Sequence, residues 1–256
     1  MKTAGLASGS KGNAYIVESQ GTALLIDCGI SHRQLAAKIK AAGFDEGAIA
    51  GVLLTHEHTD HASGLESFRK HHPDTPFFAN ALTADAIDAL CPDAGGFCIF
   101  ENAQEFELGP FSILPFAISH DVADPVGYLV RSEGKTYFHA TDLGAPLESV
   151  GQFLAQADAA TLESNHEPTL VIASSRPECL KRRILGPLGH LSNDQCAALV
   201  AKYASPKLKR LSLAHLSEQC NEPHLAERAA RAALANHPGV QLEILSQCKP
   251  GKTWEV

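Results

Sequence analysis

The stretch His56-Glu57-His58-Thr59-Asp60-His61 directly follows the apolar strand Gly51–Thr55, and its reading governs the rest of the chain. Imidazoles two residues apart in an extended segment can converge on one cation, while Asp60 and His61 can turn toward a second. Neutral imidazole combined with carboxylate suits zinc, manganese or iron. One loop cannot complete such a site, so further donors are expected at other strand ends. His120 ends the apolar run Ser112–Ser119, Asp142 ends Lys135–Thr141, and His215 ends Leu208–Ala214. Each is a polar residue terminating an apolar run, as expected where several strands deliver side chains to one edge of a sheet. His56, His58, Asp60, His61, His120, Asp142 and His215 together match two ions that each have three private ligands and share one carboxylate.

Around these residues, hairpins mix with strand–helix alternation. Strands are expected at Ala14–Glu18, Ala23–Asp27, Phe111–Ser119, Gly127–Arg131, Lys135–Thr141, Ala159–Glu163, Leu208–Ala214 and Val240–Leu245. Helices are expected at Ser31–Gly43, Ser63–Lys70, Thr83–Leu90, Pro146–Gln156, Asn193–Tyr203 and Pro223–Asn236. This order predicts an α+β fold of two sheets covered by helices rather than one parallel sheet. No repeat, low-complexity tract or long linker divides the chain, so residues 1–256 read as one domain.

The chain has 256 residues, 45% hydrophobic and 20% charged, which excludes a disordered protein and suffices for a full core. No apolar run approaches the roughly 18 residues that span a bilayer. The start, Met1-Lys2-Thr3-Ala4-Gly5-Leu6, lacks the apolar segment of a secretory signal. The 7 cysteines form no CxxC pair, and their odd number argues against a disulfide framework. A soluble cytoplasmic protein without a membrane partner is the expectation. The net charge of -8 does not attract polyanions to the surface as a whole. Locally the balance reverses: Arg176, Lys181, Arg182, Arg183, Lys202, Lys207, Lys209 and Arg210 face only Glu178 and Asp194 in that stretch. Of the 13 histidines, His71 and His72 before Pro73 are expected at the surface, and His32, His224 and His237 show no partner pattern.

The constellation resembles the metallo-β-lactamase superfamily. Leu24-Leu25-Ile26-Asp27-Cys28-Gly29 is similar to its first motif, HxHxDH to its second, and His120, Asp142 and His215 to the third, fourth and fifth. The resemblance implies a four-layer αββα sandwich with two divalent metal ions at one edge. It implies His56, His58 and His120 on one ion, Asp60, His61 and His215 on the other, and Asp142 bridging. Asp27 would order the metal loop from behind.

Within the superfamily, Asp142 differs from typical β-lactamases, and His58 stands where the flavodiiron branch has Glu. Gly189-His190-Leu191-Ser192 resembles the GHST motif of ribonuclease Z, and Glu163 sits where that family has Glu-Ala-Thr. Leu6–Asn13, Glu163-Ser164-Asn165-His166, Gly189–Asn193 and Ala214-His215-Leu216-Ser217 resemble the YycJ-like branch, also called WalJ or VicX. That branch implies a metal-dependent phosphodiesterase, with DNA favoured and exonuclease action. The short stretch from His120 to Asp142 leaves no room for a tRNA-binding arm. The stretch from Asp142 to His215 is too short for a β-CASP domain.

The expected mechanism is in-line attack on phosphorus by a hydroxide held between two ions, oriented by Asp60 and Asp142. His190, polarised by Glu163, would protonate the departing sugar oxygen. Ser192 and Gln195 have capping-box spacing, which places His190 just before a helix. Lys181, Arg182 and Arg183 are candidates to track a nucleic-acid backbone. Ser8, Ser10 and Asn13 could meet another phosphate, and His166 could reach the pocket. Rival readings are a thioester or lactone hydrolase of the same fold, and a metal-bearing regulatory protein with little turnover.

Overall fold

Alternate residues of the second strand face two different interiors. Tyr15 and Val17 pack into one cluster of buried apolar side chains, whereas Ala14 and Ile16 pack into another. That period of two means that both faces of the sheet are covered. A computed structural model describes all residues, Met1–Val256, and shows two seven-stranded sheets placed so that this occurs.

The first sheet is built from β1 (Lys2–Ala7), β2 (Ala14–Ser19), β3 (Thr22–Ile26), β4 (Ile49–Leu53), β5 (Phe77–Ala79) and β6 (Phe97–Ile99). The second comprises β7 (Phe106–Leu108), β8 (Phe111–Ala117), β9 (Val126–Ser132), β10 (Lys135–Ala140), β11 (Ala159–Glu163), β12 (Arg210–Ala214) and β13 (Gln241–Ile244). The chain returns to the first sheet with β14 (Trp254–Glu255), giving the orders β14-β1-β2-β3-β4-β5-β6 and β13-β12-β11-β10-β9-β8-β7. Antiparallel hairpins start each sheet, and the later strands are parallel.

Three apolar clusters define four layers. Tyr15, Val17, Leu24 and Ile26 meet Ile113, Tyr128, Val130 and Tyr137 between the sheets. The outer face of the first sheet buries Leu35 and Ile39 of α1 (His32–Ala41) and Ile87 of a later helix, Ala81–Leu90. Between them lie the four-residue α2 (Thr59–Ala62) and α3 (Leu65–His71), so Ala81–Leu90 is α4. The outer face of the second sheet packs on α5 (Glu148–Leu154), α8 (Asn193–Tyr203) and α9 (Pro223–Ala233), with α6 (Pro168–Ala173) and α7 (Glu178–Leu185) at its edge. The fold is therefore the expected αββα sandwich. No helix is long and apolar enough to cross a membrane.

The strands and helices expected from sequence all form, with ends that move by a few residues. Several short elements were not anticipated: β1, β5, β6, β7, β14, α2, α6 and α7. What positions the site is strand direction. β3, β4, β10, β11 and β12 end at one rim, and β8, antiparallel to β9 and hence parallel in sense to β10, ends there too. Carboxyl ends of strands are where open α/β sheets present functional loops.

Candidate metal centre

Three of the loops leaving that rim hold a non-glycine residue in the left-handed region: Asp27 (φ 60), Asp142 (φ 59) and His215 (φ 55). This conformation costs free energy for side chains other than glycine. Its recurrence at three strand ends turns each side chain inward to one point. Gly29 lets the loop after β3 touch the metal loop, since a Cβ there would stand 1.7 Å from the Asp60 carbonyl oxygen. The contact is sewn by backbone bonds from Asn13 N to Asp60 O (2.7 Å) and from Cys28 N to His61 O (2.8 Å).

The convergence produces two adjoining groups of donors. In the first, His56 Nε2 lies 3.2 Å from His58 Nδ1, which lies 3.3 Å from His120 Nε2. The outer nitrogens of His56 and His120 are occupied. His120 Nδ1 donates to the Gly189 carbonyl (3.0 Å), and His56 Nδ1 donates to Thr55 Oγ1 (3.0 Å), whose hydroxyl in turn donates to Asp27. Those bonds leave lone pairs facing inward. Burial, reinforced by the neighbouring imidazoles, holds His56 well below its ordinary pKa and lowers His58 as well.

In the second group, His61 Nδ1 donates to Asp27 Oδ2 (2.8 Å), and its Nε2 stands 3.2 Å from Asp142 Oδ2 and 3.6 Å from Asp60 Oδ2. His215 Nε2 lies 3.4 Å from Asp60 Oδ2 and its Nδ1 3.0 Å from Glu163 Oε1. Burial would lower His61 and His215. The charge of Asp142, with Asp27 and Asp60 at His61 and with Asp60 and Glu163 at His215, overcomes it: His61 is held well above its ordinary value and His215 is raised to about 10. Conversely, burial would raise the Asp60 carboxyl, but the charge of His61 and the hydrogen bond from His215 hold it at about 2.

Asp142 lies between the groups, 3.8 Å from His120 Nε2 and 3.4 Å from His215 Nδ1. Its buried Oδ2 has no hydrogen bond. Three imidazole nitrogens facing one another, spaced near the roughly 3.3 Å edge of a zinc tetrahedron, and an orphaned buried carboxylate oxygen fit divalent cations at this position. All seven donors expected from sequence are brought together.

A model of the beta-lactamase superfamily domain matches residues 22–215. The chain is 32% identical to exodeoxyribonuclease YycJ of Bacillus anthracis, over 90% of this chain and 87% of the relative. It is 31% identical to exodeoxyribonuclease WalJ of Streptococcus pneumoniae, over 86% of this chain and 83% of that one. The chain belongs to the beta-lactamase superfamily. Among solved structures, the metallo-beta-lactamase fold protein YhfI of Bacillus subtilis superposes with a TM-score of 0.74 at 17% identity, covering 100% of this chain and 98% of that one.

Around this superfamily centre opens a cavity of about 290 Å³, lined by His58, Asp60, Asp142, His190 and His215 on one side. His190 is set as the capping-box pattern predicts, just ahead of Ser192, whose side chain caps α8. Its Nδ1 meets Glu163 Oε1 at 2.8 Å. Glu163 is fully used, since its Oε2 accepts from Leu143 N (2.7 Å) and Leu191 N (3.0 Å). Burial would raise this carboxyl, but His190 and His215 hold it at about 2.

The substrate-side expectations divide. Ser10 lines the cavity. Ser8 instead is buried and accepts from the His215 backbone N–H (2.8 Å), so it braces a donor loop. Asn13 is also buried, donating to Asp60 O (3.3 Å) with its Nδ2 3.0 Å from His61 Nε2. His166 does not line the cavity: it is buried, and burial lowers it to about 4. Lys181 and Arg182 do not line it either. Helix α7 turns Leu180, Arg183 and Ile184 to the cavity, while Lys181 Nζ on another face bonds Ile172 O (2.8 Å) and pairs with Glu178 (3.1 Å). Arg183 is inside but paired with Asp121. Arg176, which the sequence marks only as one base of the positive stretch, lines the cavity with its Nε buried and unbonded. Arg176 lies just ahead of α7, whose own inward face, Leu180, Arg183 and Ile184, follows the helical period. Thr55, which ties His56 to Asp27, was missed.

Proposed function

We propose that this chain is a dinuclear metal-dependent phosphodiesterase that acts on nucleic-acid ends, with DNA as the favoured substrate. The observation that carries the reading is the position of Glu163: one buried carboxylate oxygen meets both His190 and His215, so an imidazole backed by a carboxylate is fixed beside the cluster of donors. A thiolate, whose conjugate acid has a pKa near 8.5, departs without a proton. A sugar alkoxide requires one, which favours phosphodiester over thioester. Likeness to two exodeoxyribonucleases across most of the chain supports DNA.

His56, His58 and His120 would hold one ion and Asp60, His61 and His215 the other, with Asp142 shared. Zinc is the proposed ion, and manganese or iron suit the same donors. Bound there, two divalent ions supply positive charge against the phosphodiester and lower the pKa of water. Asp60, partly open to the cavity, orients the attacking water. His190 donates its proton from Nε2 to the departing sugar oxygen, while Glu163 holds Nδ1 and compensates the charge. Arg176, with no carboxylate partner, receives a phosphate oxygen.

His190→Ala tests the reading. Hydrolysis of end-labelled DNA should fall by roughly 10²–10⁴, with metal content unchanged. Undiminished digestion, or faster turnover of a thioester than of DNA by the parent enzyme, would overturn it.

A further inference from the structure

A second constellation of donors lies on the outer helical layer, formed by residues that show no common sequence pattern. His32 is the first residue of α1, Glu46 the first of a 3₁₀ turn, Glu46–Ala48, and His72 caps the end of α3. The Nε2 atoms of both histidines point at the same carboxylate oxygen: Glu46 Oε1 is 2.7 Å from His32 and 2.9 Å from His72. The three donor atoms all lie within 4.8 Å of one another.

The rings are braced from behind. His72 stacks on Phe68 with centroids 4.5 Å apart, and His71 stacks on His32 at 3.7 Å. His71 is itself held by its Nδ1 on the Ser67 carbonyl (2.8 Å), and Ser67 Oγ accepts from the His32 backbone N–H (3.1 Å). The arrangement therefore does not depend on the hydrogen bonds to Glu46 alone. The side chains are 16%, 24% and 22% exposed for His32, Glu46 and His72, which leaves an ion a path in.

We infer that His32, Glu46 and His72 form a separate zinc-binding site, with two imidazoles, one carboxylate and an open fourth position for water. The donor set is that of three-ligand zinc sites. With zinc–ligand distances of about 2.0–2.1 Å, a tetrahedron has an edge of roughly 3.3 Å. The two contacts to Glu46 need open by only about half an ångström to reach that edge. An ion here takes the place of the two Nε2–H hydrogens, each neutral ring then carrying its proton on Nδ1, and joins the starts of α1 and the 3₁₀ turn to the end of α3. None of these residues belongs to the rim that carries the proposed chemistry.

The test is zinc stoichiometry of the full-length protein, by equilibrium dialysis against buffered free Zn²⁺ at neutral pH and elemental analysis. The wild type should take up one equivalent more than His72→Gln or Glu46→Gln, with DNA hydrolysis alike in all three. Glu46→Gln keeps the volume and one acceptor oxygen, so it carries the test should His72→Gln fail to fold. In addition, the increment of zinc beyond the rim's share should raise the thermal midpoint of the wild type but not of Glu46→Gln. Equal zinc uptake by wild type and Glu46→Gln at every free concentration overturns the inference.

Discussion

The two halves of the rim cluster hold their histidines by opposite means. His56 and His120 are fastened from behind by neutral groups, the Thr55 hydroxyl and the Gly189 carbonyl, and with His58 they face one another as lone pairs. His61 and His215 are fastened by carboxylates, Asp27 and Glu163, and face further carboxylates, Asp60 and Asp142. The imidazole half can accept a cation as it stands. The carboxylate half holds His61 and His215 in ion pairs with Asp27 and Glu163 and must release protons to take one. The carboxylate half therefore depends far more on the groups behind it.

Glu163→Gln should have the largest effect, because it removes the charge behind His215 and the partner of His190 at once. The ion of the carboxylate half should bind at least 10-fold more weakly, and DNA hydrolysis should fall by roughly 10²–10⁴ even with metal restored. Titration with metal and rate measurement at saturation separate the two effects. Equal loss of both ions would break the distinction between the halves.

Asp27→Asn should act less strongly and without touching the proton carrier. Asp27 bonds His61 directly but His56 only through Thr55. One ion should therefore weaken by about 10–100-fold, and Thr55→Val should weaken the other by less. Paired metal titrations of the two variants read the asymmetry, and the same affinity pattern in both would erase it.

Strand ends were legible because a polar residue closing an apolar run has a physical reason to be there. Asp142 and His215 stand out for that reason, although neither neighbours a second ligand in sequence. β5 and β6 were not legible, being three residues long, and β1 has Ala and Gly where β-branched side chains would announce a strand. Their stability comes from pairing and burial, which are properties of the sheet. His32, Glu46 and His72 were unreadable for a related cause, since three elements bring them together and none shows a local pattern. The charge run around α7 was visible, but its inward face was not, because the helix went unrecognised and with it the period that separates Arg183 from Lys181 and Arg182.

Arg176 gives the smallest predicted effect and the sharpest control on the comparison, because it lies outside both halves. It lines the cavity, pairs with no carboxylate and keeps its Nε buried without a bond. Its contribution is thus to the substrate phosphate, whereas Arg183 already spends its charge on Asp121. Arg176→Ala should weaken DNA binding roughly tenfold and reduce the salt slope of binding by about 1. Metal affinity of both halves and the rate at saturating DNA should stay unchanged. Lys181→Ala and Arg182→Ala, on the other faces of α7, should shift binding by less than Arg176→Ala at the same salt. A salt series of DNA affinity for the three variants decides the matter: if Lys181→Ala matched Arg176→Ala, the phosphate would run along the outside of α7 and not through the cavity above the histidines.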